Sequence, residues 1–467
     1  MILVSKFNLS RREIILAVLA FSVRIVAVIV LLLLSRSLSF PYPVGGDDAP
    51  NYIELARNLS EHGVFSRTAH APFIPESFRT PGYPFIIALL LALTKTIYAI
   101  PVIHAFIAAL STIIVYRMGF RLFNKRVGLY AALLFIFDPI GIYLSSVVLS
   151  ETFFVFFFLL GVYTALILAK EHPHIFFLSG ALFGIATLIR PVAQFMPLLF
   201  ALLWLFMWGR EFFTKRRFIH IALFILGFFL IVFPWALRNK IAAHSWNLSL
   251  VGVHNFFWYH IPSYMAAKEN ITDKAAREIM WNRLLERSPQ AQKYLTVSES
   301  SDITKISLEF ISKDPIGFGI FYIVKTTPFF ISDGISDIAR EMNIPSRKSD
   351  NLSTLLFKGD IRGIFRSLSR DDSATALYVV VVLFWALVTI GMIGTVVVEA
   401  MQNNRERRLI VLFFFALILL MAILSGPVSN ARIRYPVTPF IYIVFMLGVD
   451  QFFQRTNFLR EKDGLTY

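Results

Sequence analysis

The chain contains no cysteine. That excludes disulfides, thiolate metal sites and a cysteine nucleophile. Charge is scarce: Asp, Glu, Lys and Arg make up 16% of the residues, with 30 acids against 45 bases. No sequence repeat recurs, and no stretch is left over for a soluble catalytic domain. What fills the chain is apolar. Hydrophobic residues reach 57%, Phe alone occurs 48 times and the mean hydropathy is +0.66. This exceeds what a soluble core can use, so the composition implies an all-α polytopic membrane protein.

Apolar runs at about 14 to 34, 101 to 120, 127 to 146, 150 to 169, 174 to 189, 192 to 208, 218 to 237, 375 to 399, 409 to 425 and 436 to 452 can each span as a helix. The pair 174 to 189 and 192 to 208 meets at Arg190 and Pro191 and reads as a tight hairpin. The first run is too long for a removable signal peptide and lacks a small-residue cleavage site. A further run, 83 to 98, is decided by the positive-inside rule. If it does not cross, Lys6, Arg11 and Arg12, then Arg117, Arg121, Lys125 and Arg126, then Arg210 and Lys215 to Arg217, then Arg405, Arg407 and Arg408, then Arg455, Arg460 and Lys462 all share the cytoplasmic side. It is therefore read as a juxtamembrane or re-entrant helix. Much of the net charge of +15 then orients the protein, and nucleic-acid binding is not implied.

This topology gives a membrane core over 1–240 with a first external loop at 35–100, an external region at 241–374, and closing helices with a cytoplasmic tail at 375–467. The stretch 265 to 313 is polar and helix-compatible, and 340 to 372, rich in Ser, Arg and Asp, is expected to be loosely ordered.

Two adjacent acids, Asp47 and Asp48, follow the first span and precede APNYIELARNLSEHG, which has helical spacing and a stop at Gly63. Asp48 fits an N-cap, with Pro50 in the first turn. Capping explains one acid and not two, since the second adds like-charge repulsion. The same loop ends ESFRTPGYP, with Arg79 beside a rigid turn from Pro81 to Pro84. Glu151, in LSETFF, starts a span on the same external face, where Ser150 can cap and Glu151 can meet the helix dipole. Arg190 and Arg238 end outward-going helices, and Arg432 and Arg434 precede an inward-going one. Any one of these arginines reads as a snorkelling or dipole-pairing residue; four of them run against the positive-inside bias. Carboxylates and guanidiniums together on one membrane face suit a phosphorylated lipid and a hydroxyl nucleophile that needs a base. His244, His254 and His260, among Trp246, Trp258 and Tyr259, fit an interfacial aromatic belt, with sugar stacking or a metal as the other readings. Asp138 before Pro139 marks a kink able to open a polar cavity for an acceptor.

The succession GGDDAPNYIELARNLSEHGVFS, FRTPGYPF, YRMGFRLFNKRVGLYAALLF, LSETFF, LIRPVA, PWALRN and RIRYPVTPF resembles the GT-C glycosyltransferases, in the branch of the protein O-mannosyltransferases and the transferases that add aminoarabinose to lipid A. The likeness covers residues 14 to 240 and returns near 425 to 452. It implies a GT-C-like helix bundle in the plasma (inner) membrane that inverts configuration while moving sugar from a polyprenyl phosphate to an acceptor protein, lipid or glycan on the external or periplasmic face. Asp47 falls on the usual base, Asp48 on an orienting acid and Glu151 on the second-loop acid. Arg79, Arg190, Arg238, Arg432 and Arg434 are the candidates for the donor phosphate, and Tyr52, Tyr83 and Tyr435 for the substrate pocket. Arg79, Thr80 and Pro81 replace the Lys and double Pro common in the lipid A branch, which argues against aminoarabinose. Asp47, Asp48 and Glu151 have the oxygen donors for a divalent cation, though no spacing demands one. A transporter or flippase of polyprenyl-linked sugars is the alternative; there, polar residues gather near the bilayer midplane in paired repeats.

Overall fold

The computed structural model describes residues 9–38, 40–46, 48–170, 172–243, 245–289, 291, 300–342, 352–363 and 373–462; among them every regular element is helical. The first half of the chain supplies α1 (Arg11–Leu38), α2 (Ala49–His62), α3 (Gly82–Thr94), α4 (Ala99–Leu122), α5 (Lys125–Ile136), α6 (Pro139–Ser146), α7 (Glu151–Leu166), α8 (His174–Ile189), α9 (Met196–Trp208) and α10 (Lys215–Ala243). All ten apolar runs are helical. Among the described residues, seven helices are long and apolar enough to cross a membrane and the bent pair α5 and α6 makes up to eight; α7 and α8, from the runs 150 to 169 and 174 to 189, are apolar but shorter. The protein is a multi-span membrane protein.

Glu13 at the start of α1 pairs with Arg117 at the end of α4, 2.5 Å apart. The two helices therefore run antiparallel, and the chain between them leaves and returns at one end of the bundle. The 13-residue α3 lies within that excursion. At the Glu13 end, Asn124 also bonds Asp450 and Arg405 bonds the Phe206 carbonyl, so the basic clusters are gathered on one side. The pairing of α8 with α10 uses glycine for close approach: a Cβ at Gly180 would overlap the Phe224 carbonyl, and one at Gly227 the Phe177 carbonyl.

The run 127 to 146 breaks by 55° between Ile136 and Pro139. Pro139 has no N–H to donate. Arg24, buried in the middle of α1, donates Nη2 to the Phe135 carbonyl (3.4 Å) just before the break. Asp138 and Tyr442 line a cavity beside the kink. Asp138 accepts the Gly141 amide through Oδ1 (2.8 Å) and the Tyr442 hydroxyl through Oδ2 (2.7 Å), and the neighbouring cavity is walled largely by Leu133, Phe137, Phe384 and Met446.

After α10 come α11 (Val251–Asn255), α12 (Ile261–Glu269), α13 (Asp273–Arg287), α14 (Ser300–Lys313), α15 (Pro315–Ile331), α16 (Ile335–Glu341) and α17 (Leu352–Phe357). Phe257, Ile261, Met280, Leu284, Ile303 and Phe321 build a second, smaller core there. Phe329 of α15 and Met342 after α16 join the main core, which ties this region to the helix bundle. Of the stretch expected to be loosely ordered, 352–357 is helix, and 343–351 and 364–372 lie outside the described residues. The chain closes with α18 (Ser373–Ala400), α19 (Arg405–Ser425), the one-turn α20 (Ala431–Arg434) and α21 (Thr438–Lys462).

Candidate active site

The capping pattern is right about position and wrong about chemistry. Asp48 and Ser150 occupy the N-cap positions of α2 and α7, and neither side chain makes a capping hydrogen bond. Asp48 instead gives Oδ1 to Arg79 Nη2 and Oδ2 to Arg432 Nη2, the latter at 2.6 Å. Arg432 turns its Nε to Glu151 Oε1 at 2.5 Å, so one guanidinium joins the two acids. Arg190 Nη1 reaches the same Glu151 oxygen at 2.6 Å as an ion pair without hydrogen-bond alignment. Tyr52 completes the group: its hydroxyl accepts Arg79 Nη1 (3.3 Å) and lies 3.3 Å from Ser150 Oγ.

Each side chain arrives on a different element. Tyr52 and Asp48 come with the amphipathic α2, Glu151 from the first turn of α7, Arg190 from the residue after α8, and Arg432 from α20. Thr80 ties the Arg79 loop to this end of α8 by donating Oγ1 to the Ile189 carbonyl (3.2 Å). The arrangement is deep: Glu151 is fully buried. Burial would push the Asp48 carboxyl up, but Arg432 and Arg79 outweigh it and hold it well below the usual carboxylate range. Burial would pull the Arg79 guanidinium down, and Tyr52 and Asp48 more than restore it. A carboxylate held this firmly in its ionised form is a poor proton acceptor, so Asp48 suits orientation better than base catalysis.

Three polar atoms in the group are buried without a hydrogen-bond partner among the described residues: Glu151 Oε2, Arg79 Nε and Arg190 Nη1. Buried polar atoms are normally satisfied, so this is where a polar ligand or water belongs. Asp47 lies outside the described residues. No cluster of three His, Cys, Asp or Glu able to hold a metal occurs among the described residues.

The structure gathers Asp48, Tyr52, Arg79, Glu151, Arg190 and Arg432, sets Tyr83 against Tyr52, and places Arg238, Arg434 and Tyr435 on other partners. Arg238 donates to the carbonyls of Glu76 (2.6 Å) and Phe65 (3.3 Å). Arg434 is buried with its guanidinium 3.5 Å from the Trp385 ring centroid, bonded to the carbonyls of Phe329 and Ser332. Tyr83 packs edge-on against Tyr52 from behind and bonds His104, and Tyr435 stacks on Phe135 in the core. His254 packs edge-on against Phe78 (4.8 Å), and His260 is buried between Phe256 and Tyr322; His244 lies outside the described residues. Burial, then Arg67 and Arg79, pull the His254 pKa down to about 4, and burial does the same to His260.

Sequence reasoning passed over Arg24, His104 and Glu76. Arg24 was signalled by its solitary charge in an apolar run, His104 by its place in an otherwise apolar helix.

With the geometry in place, comparison with known proteins gives three findings. Residues 78–237 match the family described as dolichyl-phosphate-mannose-protein mannosyltransferase, a GT-C family; the matched stretch contains Arg79, Glu151 and Arg190. Among solved structures, the chain is similar to the archaeal oligosaccharyltransferase AglB from Archaeoglobus fulgidus, solved in complex with an inhibitory peptide and a dolichol-phosphate (TM-score 0.47, 14% identity, 96% of this chain and 52% of that one). It is also similar to ArnT from Cupriavidus metallidurans bound to undecaprenyl phosphate (TM-score 0.40, 14% identity, 93% of this chain and 76% of that one). The chain thus spans about half the length of the oligosaccharyltransferase. No curated protein matches it in sequence. The GT-C resemblance read from the motifs is therefore matched by a family profile over part of the chain.

Proposed function

We propose that the protein is a membrane glycosyltransferase that moves a sugar from a polyprenyl-phosphate donor to an acceptor hydroxyl on a protein, lipid or glycan at the external membrane face. The observation that carries this reading is the bridge from part-buried Asp48 through part-buried Arg432 to fully buried Glu151, flanked by Arg79 and Arg190. Three guanidiniums face two carboxylates there, which leaves positive charge for a phosphate. Among the described residues, Arg79 Nε has no hydrogen-bond partner, and Arg190 Nη1 makes an ion pair with Glu151 and no hydrogen bond. Charge on the phosphate grows as the sugar leaves, and fixed donors of this kind stabilise it more in the transition state than in the ground state.

Depth supports a lipid-borne donor. Glu151 opens and Arg190 follows 16-residue helices, which puts both about 24 Å from the turn joining α7 to α8, against roughly 30 Å of hydrocarbon. The cluster is thus set near one boundary of the apolar layer, where a lipid phosphate resides.

In this reading Asp47 is the general base that takes the acceptor proton, Asp48 and Glu151 orient through Arg432, and Arg79 with Arg190 holds the phosphate. A phosphate leaving group is a weak base, so departure needs no separate general acid. Attack from the face opposite the phosphate inverts the anomeric centre. The proposal is tested by incubating membranes that carry the protein with a panel of labelled polyprenyl-phosphate sugars. Label moving from lipid to an acceptor supports transfer; label crossing the membrane still attached to its lipid identifies a transporter instead.

A further inference from the structure

The three residues before Arg79 have every carbonyl hydrogen-bonded to a partner from a distant segment of the chain. The Glu76 carbonyl accepts Arg238 Nη1 at 2.6 Å, the Ser77 carbonyl accepts the Leu250 amide at 3.1 Å, and the Phe78 carbonyl accepts Ser249 Oγ at 2.6 Å. From the other side, Glu76 Oε1 accepts the amides of Phe78 (2.5 Å) and Arg79 (3.2 Å), while Oε2 is held by Arg67 Nε. Glu76 is buried. Ser249 is itself held, because its Oγ accepts the Val251 amide at 3.1 Å. The rigidity of the Arg79 loop therefore comes from upstream contacts as well as from Pro81 and Pro84 downstream.

We infer that Glu76 and Ser249 are positioning residues that set the direction of the Arg79 guanidinium, with the segment following α10 acting as a brace from the acceptor side of the protein. The inference rests on the reading of Arg79 as a phosphate ligand. A loop of this composition would sample many backbone states, and each carries the guanidinium through a different arc. Fixing three consecutive carbonyls and two amides removes that freedom before any ligand arrives, so less ordering remains to be done on binding. The brace also joins two regions: residues 245 to 250 lead directly into α11, the start of the second core. A displacement of that core is felt first at the Phe78 and Ser77 carbonyls, one residue away from Arg79.

The test uses full-length protein in nanodiscs and undecaprenyl phosphate as the lipid-phosphate probe. Ser249→Ala removes one hydrogen bond and should weaken binding about fivefold. Glu76→Ala should weaken it further, and Glu76→Gln should recover most of the loss, since its amide oxygen still accepts both N–H groups. In an Arg79→Lys background, Ser249→Ala should change affinity by less than about twofold, because the fork that it orients is gone. Equal effects of Ser249→Ala in both backgrounds would show a general packing role and overturn the inference. If Glu76→Ala fails to fold, the Ser249 cycle alone decides. Arg79→Ala separates the two layers: unchanged probe affinity overturns the reading of Arg79 and the brace with it, whereas lost affinity together with an additive Ser249 cycle overturns the brace alone.

Discussion

Arg432 Nε lies 2.5 Å from Glu151 Oε1, so a residue from the one-turn helix that precedes the final long helix closes a site whose other described members all precede residue 191. The same guanidinium holds Asp48, which makes Arg432 the one side chain that both acids share. Arg432→Lys keeps the charge and cannot serve two carboxylates in the same plane. Arg432→Ala leaves the fully buried Glu151 to Arg190 alone, which should cost about 3 to 5 kcal/mol of stability in a thermal or denaturant titration. The lysine variant should fold and lose most transfer activity.

Arg79 and Arg238 should separate cleanly in a binding assay. Arg79→Lys loses two-point geometry and should bind a polyprenyl phosphate more weakly, and Arg79→Ala should lose roughly 2 to 5 kcal/mol of combined binding and transition-state stabilisation. Arg238 is occupied with the Phe65 and Glu76 carbonyls, so Arg238→Ala should lower the melting temperature and weaken lipid-phosphate binding only indirectly, through the Arg79 loop, by much less than Arg79→Ala. Melting curves and lipid-phosphate titrations on the two alanine variants check this.

Buried neutral histidine predicts acid sensitivity. His260 has no hydrogen-bond partner among the described residues, and its pKa falls from 6.5 to about 4. Below 6.5 the unfolded chain takes up a proton that the folded chain refuses until about 4, so stability is lost as pH falls through that window. The loss is at most about 3 kcal/mol. His260→Phe should make the stability profile between pH 6.5 and 4 less steep, leaving the share that His254 contributes over the same window. A profile identical to that of the unsubstituted protein would mean that His260 does not titrate in this way.

Topology can be read by single-cysteine labelling, which is clean here because the chain has no cysteine. An impermeant reagent should label cysteines placed at the exposed Ala69, near the buried Ser66, and at the exposed Ser301 from outside, and not those near Asn124 or Asn403. Labelling of the Asn124 position from outside would place α3 across the membrane and invert everything after it.

Much of this was legible in the sequence for a physical reason: a spanning helix is recognised by apolar length alone, whatever direction its faces point. The acids and arginines of the site stood out because charge at a membrane boundary is costly to keep. The sequence pattern could not choose between Arg432 and Arg434. Residues two apart on a helical turn point about 200° away from each other, so one faces the acids and the other the Trp385 ring, and RIR reads the same either way round. Arg238 was indistinguishable from Arg190 because both follow apolar helices; only the fold shows that loop carbonyls occupy the first and Glu151 the second. Glu76 escaped notice because its partners are backbone amides, which leave no trace in residue type.

The central claim is that a base at Asp47 drives sugar transfer from a lipid phosphate. The most direct measurement is single-turnover transfer from a labelled polyprenyl-phosphate sugar by Asp47→Asn, alongside undecaprenyl phosphate binding by the same variant. The substitution removes a proton acceptor and almost no volume, so transfer should slow by roughly 100-fold to 10,000-fold while lipid-phosphate affinity stays near that of the unsubstituted protein. Transfer at the unsubstituted rate would contradict the account and move the base to another residue.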